Sequence, residues 1–177
     1  MAGVGPEAMK QEQKLVAELY RYVAPFIDSS KDLYLSLDGQ AALVGVGKGH
    51  FIDGTIPDLW FTVMGQADAM LIEAKALDAK GRVLLMQTQL RAWCSSGRGG
   101  HKPHLWVAVS NAFDQFFLWG HSDFTSILDA CRNNQKTVPF SVPKSAQSFK
   151  TVNQLALAVL CIAQQAAARD RVKKRGA

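Results

Sequence analysis

The 177-residue chain is 48% apolar and carries a formal charge of +5. That is enough for one globular domain with its own core, residues 1–177, and no low-complexity tract or internal repeat points to a disordered, fibrous or solenoid class. No apolar run approaches the roughly 20 residues that cross a bilayer, and the N-terminus lacks the charged start and apolar core of a signal peptide, so a cytoplasmic protein without a membrane partner is expected.

Residues Pro6 to Ala24 read as a helix, with Leu15, Val16, Leu19, Tyr20 and Val23 on one stripe. At about 100° per residue, Glu12 projects onto the middle of that stripe and Glu18 falls off it. A carboxylate on a core-facing stripe needs a partner or a chemical role, because burying it unpaired is costly. Pro25 to Asp32 reads as a connector. Leu33 to Asp38 and Gln40 to Val46 read as strands joined by the hairpin signal Asp38-Gly39. The loop Gly45-Val46-Gly47-Lys48-Gly49-His50 invites comparison with a phosphate loop, but Ala42 and Gly49 break the required spacing. No nucleotide cofactor is expected. Lys48 and His50 are instead candidates for contact with a nucleic-acid backbone.

Ile56 to Met64 and Ala69 to Ala76 read as the two central strands, and Asp78 to Arg82 as a polar turn. Leu84 to Cys94 reads as a helix with Met86, Gln89, Leu90 and Trp93 on its inner face and Gln87 pointing away. Ser95 to Gly100 is turn-rich, and Arg98 and Lys102 in and after it are further candidates for gripping a nucleic acid. His104 to Ser110 and Gln115 to Trp119 read as strands, and Trp60, Trp106 and Trp119 as core. Ser122 is placed to cap a helix through Cys131. Asn133 to Ser148, with Pro139 and Pro143, reads as irregular. Phe149 to about Arg171 reads as a helix. The strand–helix–strand passage from Ala69 to Ser110 implies a parallel crossover, so the fold class is α/β with a mixed central sheet flanked by helices. Three scattered cysteines, Cys94, Cys131 and Cys161, suit reduced thiols. Five basic residues and one acid between Arg169 and Arg175 supply +4 of the charge, leaving +1 for the body. Residues 169–177 read as a flexible basic tail suited to a polyanion such as DNA, or as a solvated helix end.

The stretch Ile56 to Lys75 carries the chemistry. Glu73 and Lys75 are two apart, so both side chains leave one face of their strand, with the Ala74 carbonyl between them. Asp58 opens the neighbouring strand. Two carboxylates and a carbonyl form an all-oxygen donor set suited to Mg²⁺ or Mn²⁺. A lysine beside them can orient or deprotonate a water, or neutralise charge on a phosphoryl group.

Pro57-Asp58, a gap of fourteen, then Glu73-Ala74-Lys75 resembles the PD-(D/E)XK nuclease superfamily. Gln89-Leu90-Arg91-Ala92-Trp93 is similar to the glutamine-bearing helix element of its lambda-exonuclease and RecB-like branch, with Trp in place of Tyr. The surrounding strands also resemble VRR-NUC-type and Holliday-junction-resolving members. The resemblance covers residues 7 to 110. It implies a restriction-endonuclease-like core and metal-dependent hydrolysis of DNA phosphodiesters, structure-specific on branched DNA or linked to repair and recombination. It implies Asp58, Glu73, Lys75 and Gln89 as catalytic residues, and Glu12 as a further metal ligand from the first helix. Small size favours recognition by shape, with a homodimer placing two active sites on two strands.

Two other readings stand beside this one. A catalytically silent nucleic-acid-binding or inhibitor protein would keep the fold without the reaction. In a purely structural reading, Asp58 caps a turn while Glu73 and Lys75 pair on a solvated sheet face. His101 and His104, near Cys94, are too few and too closely placed to argue strongly for zinc.

Overall fold

The computed structural model describes residues 6–28, 33–37, 58–63, 69–94, 103–120 and 136–175. In chain order the elements are α1 (Pro6–Asp28), β1 (Leu33–Leu37), β2 (Leu59–Val63), β3 (Ala69–Ala76), β4 (Arg82–Met86), α2 (Gln87–Cys94), β5 (Leu105–Val109), β6 (Phe116–Gly120), β7 (Thr137–Ser141), β8 (Gln147–Phe149) and α3 (Val152–Arg175). The main sheet has the order β1-β2-β3-β5-β6-β8, and β4 and β7 form a separate two-stranded sheet. Within the main sheet β3 and β5 run parallel, while the other neighbouring pairs are antiparallel. The fold is thus α/β with a mixed sheet flanked by helices.

Alternation along β3 divides its residues between two cores. Ile72, Ala74 and Ala76 pack with Val107 of β5, with Leu15, Leu19, Val23 and Ile27 of α1, and with Leu155 and Val159 of α3. The opposite face carries Leu77, Trp106 and Trp119, covered by Val83 and Leu85 of β4, Val138 of β7, and Leu90 and Trp93 of α2. A strand covered on both faces reads as a nearly continuous apolar run, as β3 and β5 do. Among the described residues no helix is long and apolar enough to cross a membrane.

Several sequence expectations need correction. Helix α1 continues through Pro25 to Asp28, because Ile27, four residues after Val23, extends the buried stripe. Leu84 to Cys94 is not one helix. Residues Arg82–Met86 form β4, where Val83 and Leu85 alternate inward and the strand pairs with β7. Met86, expected on the inner helix face, ends that strand and is 41% exposed. Residues 137–141 and 147–148, expected to be irregular, and Phe149, expected to begin a helix, lie in strands β7 and β8. Pro139 is accommodated because β7 is an edge strand among the described strands, where one row of amides needs no strand partner. Helix α3 starts at Val152, after Thr151, whose Oγ1 accepts the Gln154 amide at 3.3 Å. The hairpin and strand expected over 38–46, the loop 45–50, the loop 95–100 and the helix expected after Ser122 lie outside the described residues.

Candidate active site

The site arises where β2 stops short of β3. Their pairing runs from Thr62↔Ala69 to Leu59↔Ile72, so β3 continues from Glu73 to Ala76 without it. Amides along a strand alternate in direction. Leu71 N–H donates to His104 Nδ1 at 3.0 Å, and Leu77 N–H to the Val109 carbonyl at 2.9 Å, both on the β5 side. The Ala74 and Ala76 amides therefore face the edge that β2 has left. Two carboxylates take its place. Asp58 Oδ2 accepts the Ala74 amide at 2.7 Å, and Glu12 Oε1 accepts the Ala76 amide at 3.2 Å. An unsatisfied buried amide costs about 1–3 kcal/mol, so the main chain itself holds both acids in place.

Glu73 and Lys75 leave the strand on the α2 side and are 2% and 7% exposed. Lys75 Nζ lies 2.6 Å from Glu73 Oε1 and 4.0 Å from Glu12 Oε2. Trp106 stands beside Glu73 in the β3–β5 register, and Trp93 meets its ring edge-on at 5.3 Å. Gln89 is buried on the same helix face as Leu90 and Trp93. Besides its buried stripe, α1 contacts the β5–β6 turn. Gln11 Nε2 donates to the Asn111 carbonyl at 3.3 Å, and Lys14 Nζ sits 3.9 Å over the Phe113 ring. Phe113 adopts φ 59°, a left-handed conformation that is rare for a bulky side chain.

Three carboxylates thus surround one ammonium. Burial pushes the Glu73 carboxyl up to about 8, with Asp58 and Glu12 adding to the rise and Lys75 opposing it. Burial alone would lower the Lys75 ammonium, but Glu73, Asp58 and Glu12 together hold it above the ordinary lysine range. Glu12 is raised by burial, against the pull of Lys75 and the Ala76 amide. A cluster this rich in negative charge favours a cation, a proton or both.

The structure brings together Glu12, Asp58, Glu73, Ala74 and Lys75, and buries Gln89 on the helix that covers the same sheet face. The solvated ion pair of the purely structural reading does not describe Glu73 and Lys75, which are buried. Glu18 lies away from the cluster and pairs with Arg21 at 2.7 Å on the surface. His104 spends Nδ1 on the Leu71 amide, which removes that nitrogen from any zinc site. Lys48, His50, Arg98 and Lys102 lie outside the described residues.

Among the described residues, no three His, Cys, Asp or Glu side chains are gathered closely enough to hold a metal ion as they stand. Glu73 is turned onto Lys75, and one oxygen of Asp58 is spent on Ala74. The donor types present, three carboxylates with the Ala74 carbonyl next to Glu73, are the hard oxygens that a divalent ion such as Mg²⁺ or Mn²⁺ takes. Sequence reasoning missed the amide contacts of Asp58 and Glu12, because they depend on the register in which β2 pairs with β3. It also missed Trp106 as a neighbour of Glu73, which only the strand register reveals.

Comparison of the chain with protein-family models, with curated proteins and with solved structures finds no match.

Proposed function

We propose that this chain is a divalent-metal-dependent nuclease with a restriction-endonuclease-like core, hydrolysing DNA phosphodiester bonds. One observation carries the reading: Asp58, Glu73, Lys75 and Glu12 converge at the C-terminal end of β3. Asp58, Glu73 and the Ala74 carbonyl would hold Mg²⁺ or Mn²⁺, with Glu12 assisting. When bound, such an ion polarises a phosphoryl oxygen and acidifies a water. Lys75, released from Glu73, orients that water or neutralises charge on the phosphorane. Water oxygen bonds to phosphorus, the bridging P–O bond breaks, and the leaving oxygen takes up a proton. Gln89 positions Lys75 or the scissile phosphate. The basic residues near the C-terminus add salt-dependent affinity for DNA. A cytoplasmic, structure-specific enzyme acting as a homodimer on branched DNA, in repair or recombination, is the setting we favour.

The short Lys75–Glu73 pair supports one rival reading. It satisfies Lys75 and Glu73 with each other, as a catalytically silent nucleic-acid-binding or inhibitor protein would allow. Incubating branched, linear duplex and single-stranded DNA with Mg²⁺, Mn²⁺ or Ca²⁺ separates the two. The nuclease cuts at least one substrate with Mg²⁺ or Mn²⁺, whereas the silent protein binds and cuts none.

Cleavage should depend on pH through Glu73. Its proton must leave before the carboxylate can take a cation, and that proton is held to about 8. At limiting metal, the rate is expected to rise about tenfold per pH unit from pH 6 towards 8 and then level off. A rate already flat across that range would contradict this assignment.

Glu12→Gln keeps an oxygen for the Ala76 amide but removes the charge. We expect it to slow cleavage by about 10–100-fold, as changes at supporting ligands do. Glu18→Gln should leave the rate unchanged, because it breaks only a surface ion pair worth about 0–1 kcal/mol. Equal effects, or a loss confined to Glu18→Gln, would remove Glu12 from the site.

A further inference from the structure

A groove of about 710 Å³ opens at the same end of the sheet as the carboxylate cluster. It lies among the β3–β4 turn, the β5–β6 turn and the segment between β7 and β8. Its size falls within the usual range for small-molecule sites. Glu73, Lys75 and Leu77 follow one another on one face of the chain, and the groove begins at Leu77. At about 3.3 Å per strand residue, that is about 6.6 Å beyond Lys75. A second link is made by Gln11, the neighbour of Glu12, which donates to the carbonyl of the groove residue Asn111.

The lining chemistry selects a class of ligand. Leu77, Phe117, Val142 and Pro143 supply apolar wall. Asp78 is the one charged lining residue among those described, and it is already spent. Its carboxylate pairs with the Arg82 guanidinium at 2.8 Å and accepts the Lys80 and Arg82 amides at 2.8 and 2.9 Å. Ser110 Oγ is likewise committed to its own turn, through Asp114 and Gln115. No lysine or arginine is among the described lining residues, so these residues offer a phosphate no charged donor. The side-chain amides of Asn111 and Gln115 each present one acceptor group and two donors, which is the pattern that reads a base edge.

We propose that this groove holds an unpaired nucleobase of the DNA substrate, on the nucleotide adjoining the bond that is cut. The proposal rests on the nuclease reading and narrows it. The preferred substrate has a single-stranded or extruded nucleotide at the cleavage point, and an uninterrupted duplex is cut poorly. Phe117 provides aromatic surface for the ring, while Asn111 and Gln115 meet its edge.

Two measurements on the full chain test this. In a ¹⁵N-labelled sample, deoxyadenosine should shift the side-chain amide resonances of Asn111 and Gln115, and deoxyribose 5-phosphate should not. Equal shifts from both, or none from the nucleoside, would overturn the proposal. Abasic residues are then scanned along a single-stranded oligonucleotide cleaved in Mn²⁺. Loss of the base beside the cut bond should slow the wild type about tenfold or more. An Asn111→Ala, Gln115→Ala double variant should lose that sensitivity, and full retention of it would also overturn the proposal. Nucleoside binding by a protein that cuts no DNA would overturn the nuclease reading, and with it the place of the base beside a cut bond, while leaving the groove as a nucleobase site. Cutting that ignores base loss at every position would overturn the groove alone.

Discussion

Lys75→Met is expected to lower DNA cleavage by about 10³-fold while the chain stays folded at pH 7. On the proposed mechanism, the kinetic loss follows from removing the group that would orient the water or neutralise the phosphoryl charge. The retained fold is less obvious, since deleting one partner of a buried ion pair commonly destabilises strongly. Here the surviving partner has an escape. Burial already pushes Glu73 up to about 8, and Lys75 is the group that opposes the rise. Without Lys75 the carboxyl moves higher still and is neutral at pH 7. The folded form then keeps a proton that the unfolded chain releases near 4.5. Its stability declines as pH rises from that value towards the folded one. The deficit of the variant relative to wild type should grow with pH. Thermal unfolding at pH 6 and pH 9, run beside the cleavage assay, checks both parts. Wild-type cleavage by the variant would remove Lys75 from the chemistry, and an equal deficit at both pH values would contradict the account of Glu73.

Asp58 allows charge and structure to be separated. Asp58→Asn keeps an oxygen that can accept the Ala74 amide, but it removes the negative charge. Asp58→Ala removes both and leaves the Ala74 amide without the acceptor it has at 2.7 Å. Both substitutions should cut activity by about 10²-fold or more, because both lose a metal ligand of the proposed set. Only Asp58→Ala should also lower stability, by about 1–3 kcal/mol in denaturant unfolding. An active Asp58→Asn enzyme would show that the carboxylate serves only as a strand cap.

The clustering of the candidate residues was more legible in the sequence than the fold around them. Glu73 and Lys75 could be placed on one face because strand geometry forces residues two apart to share a side. Glu12 could be chosen over Glu18 because the helix period distinguishes them, and only Glu12 reaches β3. Those inferences need only the local period of one element. The failures involved pairings between distant segments. Residues 83–86 fit a helical stripe and a strand alternation about equally well. The choice is made by β7, more than 50 residues further on, which pairs Val83 with Phe140 and Leu85 with Val138. Pro139 and Pro143 signalled irregular chain, although an edge strand tolerates proline. The contacts of Asp58 and Glu12 with the β3 amides depend on the register of β2 against β3, a property of the pair rather than of either segment.

The central claim is that Asp58 and Glu73 share a divalent cation. Calorimetric titration of Mn²⁺ into the protein at pH 8, without DNA, tests it most directly. We predict saturable binding by the wild type that Glu73→Gln weakens by about 10–100-fold. No binding by the wild type, or equal binding by Glu73→Gln, would contradict the claim.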